Sequence, residues 1–175
     1  LADLGATQIR LNNAVYKISD EVIIPGGTDL VGGGHGSIIQ GTASAARLNY
    51  VGSGETNGPG IHGENGNFTF DGDNVAATAI RIGITTLTLA DVYVGETTTA
   101  GLRLEGTQNS FFSHLFINFV GDISGNGTSL IIDGASAGNT FLKCEFNEAG
   151  RSHILQTKTL DGNGAAIGSF NNAFY

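Results

Sequence analysis

Apolar residues in this chain recur in short alternating runs. The runs include TQIRL (7–11), VYKIS (15–19), EVIIP (21–25), SIIQG (37–41), NFTFDG (67–72) and AIRIG (79–83). They continue with LTLADVYV (87–94), GLRLEG (101–106), HLFINF (114–119), SLIIDG (129–134) and TFLKCEF (140–146). Alternation with a period of two, in β-branched and aromatic residues bounded by Gly, Asn, Asp and Ser, predicts strands joined by turns. Windows with apolar residues at i, i+3, i+4 and i+7 are missing, and glycines interrupt almost every stretch that might have been helical. The pattern therefore predicts an all-β chain.

From residue 67 onward the runs fall into two interleaved series. One is NFTF, DVYV, FINF and KCEF, and the other is AIRI, GLRL, SLIID and, less cleanly, SHILQ. With Ile80, Leu102 and Leu130 taken as equivalent, the steps are 22 and 28 residues. Unequal steps around a constant strand pattern imply fixed strands joined by turns of varying length. Units this small cannot bury an apolar face alone, so they must stack as a solenoid. Because the units are strands, the solenoid is a parallel β-helix with coils about 4.8 Å apart. Ile80, Ile82, Leu102, Leu104, Leu130 and Ile132 are expected to face inward. In the other series, Val92 and Val94 are expected to align with Ile117 and Phe119, and then with Cys144 and Phe146. That places Cys144 in the core as a small hydrophobe. Residues 1–66 read as a leading segment with the first coils and residues 67–175 as regular coils. The period blurs at ARLNYVGSGETNGPGIHG (46–63) and at DGNGAAIGSF (161–170).

Composition narrows the function classes. The chain has 175 residues, 40% of them hydrophobic, with 28 glycines and 2 prolines, which suits one domain and excludes collagen-like or proline-rich readings. A formal net charge of −8 repels phosphates and disfavours nucleic-acid or anionic-membrane binding. No apolar run reaches eighteen residues, so no membrane insertion is expected. The single cysteine rules out an intrachain disulfide. Methionine is absent and the final FNNAFY looks like mid-strand sequence, so the chain is expected to be a piece of a longer, processed protein.

The segment TQIRLNNAVYKISDEVIIPGGTDLVGGGHGSII (7–39) resembles the start of pectate-lyase-like parallel β-helix proteins, and the downstream KCEF and GLRL coils fit the same superfamily. The matching positions are Tyr16, Ile18, Ile24, Pro25, Gly26, Leu30, Val31, Gly32, Gly34, Ile38 and Ile39. The resemblance implies a right-handed parallel β-helix. It leaves function open, because the superfamily includes polysaccharide lyases, glycoside hydrolases, epimerases and bacteriophage spikes. The lyase Arg-x-Pro-x-x-Arg stretch has no counterpart. The polygalacturonase set is not assembled either, since the only Gly-His-Gly lies in the leading segment.

The outward positions hold the candidate chemistry. Arg81 is expected over Arg103, beside a column of Gly83, Glu105 and Asp133. Glu105 and Asp133 are candidate catalytic carboxylates with Arg103 beside them, since a carboxylate pair serves as acid and base or as nucleophile. Arg81 could neutralise a uronate carboxylate, and outward Tyr93 and Phe116 are candidate saccharide contacts. The competing reading of these charges is a solvated strip that compensates itself. For Tyr93 and Phe116, with outward Ile131 and Leu155, it is cover by a subunit or a loop. Asp71 and Asp73, with Glu64, are candidate Ca²⁺ ligands set against ordinary turn chemistry. GGGHGS (32–37) reads as a tight turn, and His35, His62, His114 and His153 show no metal-ligand spacing. The expectation is a virion spike, fibre or surface-decoration module, virion-borne or extracellular. Its expected partners are two further copies in a homotrimer, other virion proteins and a cell-surface polysaccharide. The alternative is a lyase or hydrolase of acidic or capsular polysaccharide.

Overall fold

The computed structural model describes residues 8–52, 60–83, 85–121, 125–160, 166–168 and 171–175. Three strands make one coil, and six coils stack. The first coil is β1 (Gln8–Arg10), β2 (Val15–Ile18) and β3 (Glu21–Ile24). The second is β4 (Asp29–Val31), β5 (Ile38–Gly41) and β6 (Arg47–Tyr50). In the third and fourth coils the first two strands run together across a bend, as β7 (Gly60–Asp71) with β8 (Thr78–Ile82), then β9 (Thr85–Gly95) with β10 (Ala100–Glu105). The fifth coil is β11 (Phe111–Ile117) with β12 (Thr128–Asp133), and the sixth is β13 (Thr140–Leu142), β14 (Glu145–Phe146) and β15 (Ser152–Gln156). An antiparallel pair, β16 (Lys158–Leu160) and β17 (Ala166–Gly168), precedes β18 (Ala173–Phe174), which lies parallel on β13. All other strand pairs are parallel, and no helix occurs among the described residues. The fold is an all-β parallel solenoid.

The first and second strands of successive coils form one continuous sheet, and the third strands form another in the order β3-β6-β8-β10-β12-β15. We refer to the first, second and third faces accordingly. The third face follows the expected register, with Leu102 opposite both Ile80 and Leu130, and Arg103 opposite Arg81. Inside, Ile80, Ile82, Leu102, Leu104, Leu130 and Ile132 are buried against Phe68, Phe70, Phe112 and Phe141 from the other sheet. Phe112, Phe141 and Phe174 stack with ring centroids 4.7 Å apart at each step. Like side chains in successive coils thus meet face to face, as the coil spacing favours.

The second face departs from the expected register. Leu115, not Ile117, stands opposite Val92, while Ile117 stands opposite Val94 and Phe146. Phe119 is not in the core column: it has φ 53° and is 39% exposed. The reason lies in the corners. Between the first and second faces, Asn67, Asp91, His114 and Lys143 all have φ between 51° and 58° and stack in register. A left-handed residue turns the chain within a strand, so alternation carried across it misassigns the neighbours. A second left-handed column, Glu96, Phe119 and Glu148, turns the chain toward the third face. Cys144 still packs half-buried against the core, with Sγ near Phe112 O and Leu142 O, and burial pushes its thiol pKa up.

The glycine-rich 32–37 stretch is a tight turn, as expected. Gly34 has φ 123° and its carbonyl accepts the Ser37 N–H at 2.9 Å. The 46–63 stretch contains strand β6, and residues 53–59 lie outside the described residues. The boundary drawn between 66 and 67 falls at the Asn67 corner, inside β7.

Candidate functional site on the third face

The third face carries two outward columns, because inward and outward residues alternate along each strand. One runs Ile23, Asn49, Arg81, Arg103, Ile131, Leu155, and the other Glu105, Asp133 with Thr157 beyond it. Arg47 flanks them, opposite Glu21 and paired to it with Nε 2.9 Å from Oε1. The structure therefore brings together Arg81, Arg103, Glu105 and Asp133, as the sequence pattern predicts.

These four side chains form a continuous chain of charge. Arg81 Nε donates to Glu105 Oε2 at 2.8 Å, and its terminal nitrogen donates to the same oxygen. Arg103 Nε lies 2.8 Å from the other oxygen, Oε1. That contact is an ion pair without a hydrogen bond, because the buried Nε–H is not aligned on any acceptor. The Arg103 terminal nitrogen donates to Asp133 Oδ2 at 2.8 Å. Asp133 Oδ1 accepts from the Thr157 hydroxyl and from the Gly134 N–H. Burial opposes the Asp133 charge, but the hydrogen bonds from Thr157, Arg103 and Gly134 outweigh it and hold the carboxyl below its ordinary range. Thr157 is the member that alternation along SHILQ did not reveal, since it lies just past β15.

A cleft of about 170 Å³ opens beside this chain, lined by Arg47, Thr78, Arg81, Arg103 and Glu105. Its charged lining is three guanidiniums and one carboxylate, and each guanidinium is already paired, Arg47 to Glu21, Arg81 to Glu105, and Arg103 to Glu105 and Asp133.

The aromatic candidates lie on the second face, away from these charges. Tyr93 stands opposite Phe116, and the rings stack 5.3 Å apart at an interplanar angle of 14°. Their facing surfaces cover each other, so solvent meets mainly ring edges. Ile131 and Leu155 are paired and half-exposed beside Arg103. Asp71 Oδ1 accepts the Asp73 N–H at 2.9 Å, which is turn chemistry, and Glu64 belongs to the first face, a different part of the coil. His62 is buried with Nδ1 and Nε2 each 2.9 Å from a backbone carbonyl, those of Thr28 and Val51. His114 lies 3.8 Å from Asp91 on an exposed corner. Among the described residues no three His, Cys, Asp or Glu side chains converge on a common point.

No protein-family model matches the chain, and no curated protein sequence is significantly similar to it. Two solved structures share its fold. ORF18 of Geobacillus virus E2 superposes with a TM-score of 0.65 at 16% identity, over 80% of this chain and 34% of that one. The A-module of the Azotobacter vinelandii mannuronan C-5 epimerase AlgE4 superposes with a TM-score of 0.60 at 15% identity, over 83% and 42%. The matched part thus covers about a third of the first and about two fifths of the second. What the chain shares with both is the fold, a parallel β-solenoid, in keeping with the architecture that the resemblance implied.

Proposed function

We propose that this chain is a structural β-helix section of a virion spike or fibre, assembled as a homotrimer beside other virion proteins. The observation that carries the reading is the continuous charge chain on the third face. Glu105 and Asp133 each spend their oxygens on arginines or on a hydroxyl, and Asp133 is held in its ionised form. A carboxylate so held is a poor proton donor near neutral pH, whereas glycosidic cleavage needs one acid and one base or nucleophile. Such a ladder instead binds neighbouring coils to each other. The viral protein among the structural neighbours supports a virion setting. Light scattering of the chain, with a depolymerisation assay on a panel of neutral and acidic polysaccharides, tests the reading. A stable trimer without depolymerising activity is expected, and turnover of any polymer that vanishes in Glu105→Gln overturns it.

A second reading is a lyase or hydrolase acting on an acidic polysaccharide, favoured by the three guanidiniums around the 170 Å³ cleft. A neighbour named as an epimerase of mannuronan is in keeping with it. Product release from a uronate polymer, lost in both Glu105→Gln and Asp133→Asn, would establish this reading; full retention in both variants would eliminate the site.

A further inference from the structure

We propose that the aromatic corner around Phe119 is a docking site for a basic segment of a partner protein, on a different surface from the arginine cleft and with the opposite charge preference. Phe119 is 39% exposed, and its left-handed backbone turns the ring away from the core. By register it lies between Glu96 of the coil below and Glu148 of the coil above. On the adjoining second face are the stacked Tyr93 and Phe116 rings. Tyr93 leans toward the same corner, since its ring lies 3.0 Å from where a Cβ on Gly95 would be. Val75, 41% exposed, occupies the corner one coil below Glu96, where the neighbouring Asn74 N–H bonds to the Glu96 carbonyl.

The charges set what can cover this apolar surface. Glu96 and Glu148 flank Phe119 by register, Glu145 stands opposite Phe116 and Asp71 opposite Gly95, and the Glu96 carboxylate also accepts from the Asn74 side-chain amide at 3.2 Å. The Tyr93 hydroxyl pKa is raised by burial and then by Glu96, Asp71 and Glu148, which places that hydroxyl within their field. Of the cations, Lys143 follows β13, Arg151 precedes β15 and Lys17 shares the column of Gln40 and Asp71, whereas Arg47, Arg81 and Arg103 belong to the third face. An anionic or purely apolar occupant would leave these carboxylates opposed or desolvated. Lysine or arginine side chains gain the carboxylates and the exposed Phe119 ring face together, and the apolar residues between them cover Val75 and the Tyr93–Phe116 edges. The inference stands independently of the virion reading, because it rests on another face and needs no trimer.

The test uses the full chain and two fluorescein-labelled hexapeptides, one alternating lysine with leucine and one alternating glutamate with leucine, followed by anisotropy. The lysine peptide is expected to bind and the glutamate peptide not to. Phe119→Asn should weaken binding about five-fold or more. Glu96→Gln with Glu148→Gln should weaken it and flatten its salt dependence. Asn and Gly both tolerate a left-handed backbone, so Phe119→Asn and Phe119→Gly keep the fold, as circular dichroism would verify. Glu64→Gln, on the first face, should change nothing. Unchanged binding in both Phe119 variants, or equal loss in Glu64→Gln, would reduce the effect to attraction by net charge and overturn the site.

Discussion

Arg103 lies directly over Arg81, one coil up, and Glu105 reaches both guanidiniums. Two like charges at the coil spacing repel, so this stacking is stable only because the neighbouring column supplies carboxylates at the same levels. Each arginine bonds diagonally rather than straight across. Arg81 reaches Glu105 in the coil above, and Arg103 reaches Asp133 in the coil above that. The ladder therefore joins the third, fourth, fifth and sixth coils, with Thr157 as its last member.

Removing Asp133 tests that ladder. Asp133→Asn leaves Arg103 with its Nε–H already unbonded and its terminal nitrogen without a carboxylate. The expected loss is about 1–3 kcal/mol, read by urea unfolding. A carboxyl whose folded pKa is depressed contributes stability that is complete above its unfolded value near 4 and is lost as pH falls through the folded value. The wild-type chain should lose that contribution on acidification below about pH 4, and Asp133→Asn should lack this component of the slope.

Gly66 tests the close approach of coils. Its φ is 133°, and a Cβ there would overlap the Ala90 carbonyl of the next coil. Gly66→Ala should cost about 3 kcal/mol and lower Tm by roughly 6–12 °C in a calorimetric scan.

The corner column offers the opposite sign. Lys143 is exposed, with φ 51°, in a column whose third-coil member is Asn67. Asparagine adopts this conformation at lower cost than lysine. Lys143→Asn should therefore stabilise the chain by about 0.5–1 kcal/mol, seen as a higher urea midpoint with unchanged slope.

Asn139 tests the buried polar joint between the fifth and sixth coils. It is fully buried, accepts the Ser110 N–H at 3.0 Å, and donates to the Thr107 carbonyl and to Asn172 Oδ1, each at 2.9 Å. Asn139→Ala leaves the Ser110 N–H unmet in the interior, while the Thr107 carbonyl keeps the Ala137 N–H, for an expected loss of about 1–3 kcal/mol. Hydrogen exchange should show the Ser110 amide losing protection before the amides of β10.

The third face was legible because its repeating unit is unbroken. AIRI, GLRL and SLII keep strict alternation through Ile80, Leu102 and Leu130, so inward and outward columns follow from residue order, and the stacking of Arg103 on Arg81 and of Asp133 on Glu105 could be derived. The second face was not legible to the same degree. HLFINF looks like one alternating strand, yet His114 is a left-handed corner, the strand ends at Ile117, and Phe119 is a second corner. Histidine is enriched at positive φ only as a tendency, and the phenylalanine side chain gives no such signal.

The sequence by itself determined the class of the fold, the third-face strands from Ile80 to Ile132, their inward apolar column and the residues facing outward beside it. These follow from a period of two, which each strand expresses alone. Only the tertiary structure decided which carboxylate oxygen meets which guanidinium, that the Tyr93 and Phe116 rings face each other, and that Phe119 leaves the core to stand between Glu96 and Glu148. Those outcomes depend on corner conformations imposed by stacking. A corner residue takes the φ that its neighbours in the coils above and below require, whatever its own preference.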